Sequence, residues 1–165
     1  MKKSLKFSML LFLILCAAVP DAVRAQAADP ASAWVKRCEG AAGAGQVCEM
    51  VYRLVEQNTQ SRVLELAIGF APQNQTARAV LIAPLGVELG QGFTITVDGK
   101  DSMAVKPRYC LSDGCYAFLL MPPDVLAVFK NGKEAVLSFN TFDGQPAQLP
   151  IALDGYATLL AELQK

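Results

Sequence analysis

The sequence predicts an all-β domain, packed as two sheets with two short helices. Three observations predict it. Apolar residues recur with period two over short segments, most cleanly in Phe93-Thr94-Ile95-Thr96-Val97. Turn chemistry breaks the chain at fairly regular intervals, with Asp-Gly pairs at 98–99, 113–114 and 143–144. Helical spacing of apolar residues recurs only near 123–131 and at the C-terminus.

Each element follows in order. Trp34 to Cys38 opens the structured chain, and a Gly/Ala loop runs from Glu39 to Gly45. Val47 to Val55 and Arg62 to Phe70 are strands rich in valine, tyrosine, leucine and isoleucine, joined by the polar turn Glu56 to Ser61. Ala71 to Gln75 is a loop. Arg78 to Ala83 is an apolar run too short for a helix and stopped by Pro84, so it reads as a buried strand. Leu85 to Gly92 is irregular. Phe93 to Val97 turns at Asp98-Gly99 into a return strand toward Val105, and Tyr109-Cys110 pairs with Cys115 to Met121 across Asp113-Gly114. Pro122-Pro123-Asp124 opens a helix whose Val125, Leu126 and Phe129 share one stripe, with Asn131-Gly132 as its stop. Glu134 to Asn140 and Gln148 to Leu153 are strands around Asp143-Gly144. Tyr156, Leu159, Leu160 and Leu163 follow i, i+3, i+4, i+7, an amphipathic helix for which Asp154 is the expected cap. About nine strands result.

The first 25 residues read as an address. Lys2, Lys3 and Lys6 precede an apolar run from Phe7 to Val19, and Val23-Arg24-Ala25 suits cleavage before Gln26, with a cut after Ala27 as the alternative. The run is too short for a membrane span, and Leu15 before Cys16 does not suit lipidation. Residues 26–33 are then a flexible leader, and 34–165 a single β-sandwich domain. The whole chain has 165 residues with 15 basic and 15 acidic side chains, but the signal peptide takes four of those bases and one acid. The exported protein therefore carries a charge of about −3, which gives no basic surplus for nucleic acid or anionic lipid.

Four cysteines remain after cleavage: Cys38, Cys48, Cys110 and Cys115. An even count in an exported chain reads as disulfides, with three connectivities open; sequence neighbours are the natural partners. The nine-residue gap between Cys38 and Cys48 fits a zinc site poorly, and no Cys-x-x-Cys redox motif occurs. Trp34, four residues before Cys38, reads as a core tryptophan packed on a disulfide.

Candidate chemistry is sparse. With no histidine, Ser-His-Asp and Cys-His pairs and imidazole metal sites are excluded. Asp98 and Asp101 flank a turn, where solvated acids are the ordinary finding, and no EF-hand ladder surrounds them. There is no phosphate-binding Gly-Lys-Ser/Thr, no G-x-G-x-x-G before a helix and no G-x-S-x-G elbow, and Gly86, Gly90 and Gly92 read as turn residues. Met50, Met103 and Met121 are spread too widely for a thioether copper site, so core packing is expected of them. The C-terminal helix is expected to dock on its own sheet. The sequence therefore predicts no catalytic residue, no cofactor and no metal ligand.

An ordered set of local features resembles the invasion-associated locus B family of exported bacterial proteins. It comprises Trp34-x3-Cys38, Cys48, Pro84-Leu85-Gly86-Val87, Val97-Asp98-Gly99, Cys110-Leu111-Ser112-Asp113-Gly114-Cys115, a helix ended at Gly132, and Leu153-Asp154-Gly155-Tyr156. The chain departs from the family at Glu49-Met50-Val51, where a glutamine is usual, and at Ile151-Ala152-Leu153, where a serine is. The resemblance implies an immunoglobulin-like β-sandwich in the periplasm or outer envelope, with a link to host-cell invasion in pathogenic members. The function expected is a non-catalytic interaction protein with a protein partner in the envelope or on a host cell. The alternatives are a periplasmic chaperone or inhibitor-like binding module, or a redox factor using the Cys110–Cys115 pair.

Overall fold

The computed structural model describes residues 34–40, 46–70 and 76–165. The signal peptide expected at 1–25, the leader at 26–33 and most of the loops expected at 39–45 and 71–75 lie outside these residues. Ten strands occur among the described residues, against about nine expected. They are β1 (Val35–Glu39), β2 (Val47–Val55), β3 (Arg62–Phe70), β4 (Ala77–Ala83), β5 (Phe93–Val97), β6 (Lys100–Val105), β7 (Tyr109–Leu111), β8 (Gly114–Met121), β9 (Glu134–Asn140) and β10 (Pro146–Ala152). Helix α1 (Pro123–Asn131) joins β8 to β9, and α2 (Tyr156–Leu163) follows β10.

The strands build two antiparallel sheets, one ordered β1-β2-β3-β4-β8-β7 and the other β10-β9-β5-β6. Their inward residues form one core: Met50 and Tyr52, Leu64, Leu66 and Ile68 from β2 and β3, facing Phe93, Ile95 and Val97, Leu137 and Ile151 from the second sheet. Between β4 and β8 the register sets large against small, Ala79 opposite Leu119 and Leu81 opposite Ala117. That alternation lets the core fill without crowding. This is the all-β sandwich with two short helices that the sequence predicts.

Helix α1 ends at Asn131 with Gly132 as its C-cap, the stop the sequence predicts, although the φ of Gly132 is an ordinary −83°. Glycine stands there because a Cβ would run into Val97 Cγ1 and lie 3.1 Å from Leu153 Cδ1. The cap expected of Asp154 is absent: Gly155 occupies the N-cap with φ 83°, and no side chain caps the helix. Its left-handed turn lets the Tyr156 N–H donate to the Leu153 carbonyl at 3.1 Å, which occupies a donor that a side-chain cap would have served.

Trp34 is buried, as expected, but its ring neighbours are Tyr52 at 5.5 Å and Tyr156 at 5.1 Å, and its Nε1 donates to the Ala152 carbonyl at 2.8 Å. This aromatic group ties β2, β10 and α2 together beyond the chain's first strand. Cys38, by contrast, is exposed. The Tyr156 hydroxyl lies in the same cluster, fully buried and without a hydrogen-bond partner. Burial pushes its phenol well above the ordinary tyrosine range.

Candidate functional site

Three rows of residues cross the six-stranded sheet on the side away from the core, because directly opposed residues share a face. The first row reads Arg37, Glu49, Gly69, Arg78, Leu120. The second reads Val35, Val51, Ala67, Val80, Phe118, apolar from edge to edge. Arg53, Glu65, Ile82, Tyr116 and Tyr109 make the third.

The β1–β3 side of this face is held by charge. Glu65 is only 4% exposed, although it points outward. Arg53 donates Nε and Nη2 to its Oε2 at 2.9 and 2.7 Å, while Arg37 and Arg62 approach at 3.6 and 3.7 Å. A carboxylate so enclosed needs such partners, since unpaired burial would be costly. Arg37 also donates Nε to Glu49 at 2.7 Å, and this bond raises its already high pKa further. Arg62 donates Nη2 to the Asp113 carboxylate and carbonyl, each at 2.8 Å, and the Tyr116 hydroxyl donates to the same carboxylate at 2.8 Å. Arg62, then Tyr116, hold the Asp113 carboxyl below its ordinary range.

The β8–β7 side is different. Tyr109, Leu111, Phe118 and Leu120 are 44%, 54%, 51% and 63% exposed. Tyr109 stacks on Tyr116 with ring centroids 5.3 Å apart and lies 6.1 Å from Phe118. At about half exposure, four such side chains leave about 400 Å² of apolar surface open to water. A contiguous patch of that order is where binding sites are commonly found. The outer face of the other sheet offers a contrast: Gln148, Ser138 and Thr94 lie in one row, and Gln148 Nε2 donates to Ser138 Oγ at 3.4 Å. That row is polar, whereas the β8–β7 side of the larger sheet's outer face is apolar.

The cysteines come together as two neighbouring pairs at disulfide distance. Cys38 and Cys48 face one another across β1 and β2 with Cα atoms 4.0 Å apart; Cys110 and Cys115 do so across β7 and β8 at 3.9 Å. The second pair fastens the three-residue edge strand that carries Tyr109 and Leu111. Gly114 between them has φ 150°, and a Cβ there would lie 2.7 Å from the Ala83 carbonyl oxygen, so the hairpin sits tight on the end of β4. Asp98, weighed for acid–base chemistry, accepts from the backbone N–H groups of Lys133 and Glu134 at 3.1 Å and thereby joins two turns. Those two bonds hold its carboxyl below the ordinary range. Met50 and Met121 are buried in the core and Met103 packs against it. Helix α2 packs on α1 and β2.

Among the described residues, no group of three or more His, Cys, Asp or Glu is placed to hold a metal ion, and no helix is long and apolar enough to cross a membrane. The two outer edges of the smaller sheet are β10 and β6, and β10 carries Pro146 and Pro150, which weaken it as a template for strand addition. Sequence reasoning placed the β8 strand correctly but missed its exposed face. The signal was present: Gly114–Met121 is apolar at both parities, so apolar side chains had to fall on the face turned away from the core as well.

Residues 34–164 match the family described as invasion associated locus B (IalB) protein. No curated protein matches this chain. Among solved structures, the crystal structure of invasion associated protein B from Bartonella henselae superposes with a TM-score of 0.71 at 20% identity, covering 79% of this chain and 89% of that one. At that identity the likeness speaks for the fold. The family match spans every described element, and the chain belongs to the invasion associated locus B family.

Proposed function

We propose that this chain is an exported, non-catalytic interaction protein of the cell envelope, and that it binds a protein partner through the outer face of its six-stranded sheet. The carrying observation is the half-exposed cluster Tyr109, Leu111, Phe118 and Leu120 on an edge fastened by the Cys110–Cys115 pair. An apolar surface left open on a stapled, preorganised edge loses little entropy on binding. The lysine-led apolar start with Val23-Arg24-Ala25 supports export by a cleaved signal peptide, as do paired cysteines, which persist in oxidising compartments. The family's description as invasion associated supports a partner on a host cell as the narrower form of this reading. On it, residues 34–165 act as one β-sandwich domain and both cysteine pairs are structural.

The test is a pull-down from envelope extracts and host-cell membranes with the mature protein. A partner should saturate on the wild type and be lost with the Phe118→Ser, Leu120→Ser double variant at unchanged melting temperature. Equal recovery by that variant overturns the assignment of the face.

A further inference from the structure

We infer that the partner presents an acidic, apolar segment in extended conformation, its apolar side chains resting on Phe118 and Leu120 and a carboxylate meeting Arg78. The inference rests on the proposed binding face and names the chemistry of what occupies it.

Arg37, Arg53 and Arg62 are committed to Glu49, Glu65 and Asp113. Arg78 is exposed and has no ion pair among the described residues. Its cross-strand neighbour on one side is Gly69, which has no side chain to pair with it, and on the other Leu120. A cation is thus left unneutralised at the border of the apolar patch. Lys106 and Arg108, in the connection entering β7, are exposed and likewise unpaired among the described residues. Asp113, beside Tyr116, is already bound by Arg62, as Glu49 and Glu65 in the neighbouring rows are by Arg37 and Arg53. Guanidinium binds carboxylate in a matched, two-pronged geometry.

Charge decides against a second copy of this chain. A two-fold contact is self-complementary, so among the described residues it would offer Arg78 the same patch bordered by unpaired Arg78, Lys106 and Arg108 and no free carboxylate. The geometry suits an extended segment, in which residues i and i+2 project to one side about 6.8 Å apart. That matches the spacing along β8 from Phe118 to Leu120, whose neighbour is Arg78.

The probe is a blocked synthetic peptide, Ser-Phe-Ser-Phe-Ser-Glu-Ser, whose two Phe and one Glu project to one side when extended, with counterparts carrying Gln or Lys in place of Glu. Titration is followed by amide chemical shifts of the mature protein. The Glu peptide should bind about fivefold tighter than the Gln peptide, the Lys peptide weakest, with shifts centred on Phe118, Leu120 and Arg78. Arg78→Gln should erase the Glu-over-Gln preference, and added salt should narrow it. Equal affinities in the wild type, with binding still lost in Phe118→Ser, would overturn the charge inference and leave the face standing. Binding that ignores Phe118→Ser would overturn the face as well. Shifts with anionic phospholipid vesicles but with none of the peptides would overturn the inference in favour of a lipid surface.

Discussion

Gly132 is the position where the packing makes its sharpest demand. Its φ of −83° is ordinary, so alanine meets no backbone penalty there, and any cost is steric. An added Cβ would collide with Val97 Cγ1 and crowd Leu153 Cδ1 at 3.1 Å, and both side chains are buried. Valine's branched side chain has little rotameric freedom with which to yield. Overpacking of this kind costs about 1–3 kcal/mol, offset by roughly 0.4–1 kcal/mol from the stiffer unfolded chain. Gly132→Ala should therefore lose about 1–2 kcal/mol, a fall of roughly 3–8 °C in melting temperature. Val97→Ala alone removes two buried methyl groups and should cost roughly 1.5–2.5 kcal/mol. The double variant should cost at least about 1 kcal/mol less than the sum, because the shortened side chain makes the room that the new Cβ needs. Urea melts of the four proteins give the cycle directly. Asparagine separates this account from a left-handed cap, which would accept Asn better than Ala; here Asn should do at least as much harm. A neutral Gly132→Ala, additive with Val97→Ala, would refute the reasoning.

Three further outcomes follow from the same structure. Tyr156→Phe removes a buried hydroxyl that has no partner and should be neutral or stabilising by up to about 1 kcal/mol, whereas Tyr52→Phe, whose hydroxyl donates to the Pro150 carbonyl at 3.3 Å, should cost about 1 kcal/mol in the same melts. Serine replacement of both members of a pair should cost about 2 kcal/mol for Cys110–Cys115 and about 2.7 kcal/mol for Cys38–Cys48, from their loop separations of 5 and 10, with the second the larger by thermal melting. Asp98 is held below its ordinary value of 3.8 by the Glu134 and Lys133 N–H groups; its contribution is complete above that value and disappears as pH falls through the lower folded value, so Asp98→Asn should flatten the melting temperature profile below about pH 4.

The strands β2, β3, β5 and β9 were legible to the residue, because β2, β5 and β9 largely alternate between strong turn signals and β3 is a short apolar-rich run bounded by them. Phe93 to Val97 is the plainest case, with Asp98 and Gly99 both at positive φ in the turn that ends it. Helix ends were less legible. Gly132 has the sequence look of a cap, but its reason lies in Val97, 35 residues earlier, and in Leu153, 21 later. Asp154 likewise yielded to Gly155, whose φ lets the backbone satisfy itself. The candidate site was hidden for another reason. Tyr116, Phe118 and Leu120 alternate with Cys115, Ala117, Leu119 and Met121, and nothing local says which set the core takes. Only pairing with β4, whose Ala79 and Leu81 turn inward, assigns the faces. Arg78 carried no signal until Gly69 was placed beside it.

The central claim is that a partner sits on the outer face of the six-stranded sheet. Photo-crosslinking in intact cells tests it most directly, with benzoylphenylalanine introduced at Phe118 on that face or at Thr94 on the outer face of the other sheet. The account predicts one discrete protein adduct from position 118, lost when Leu120→Ser is added, and none from position 94. An adduct from position 94 with none from 118 would contradict it.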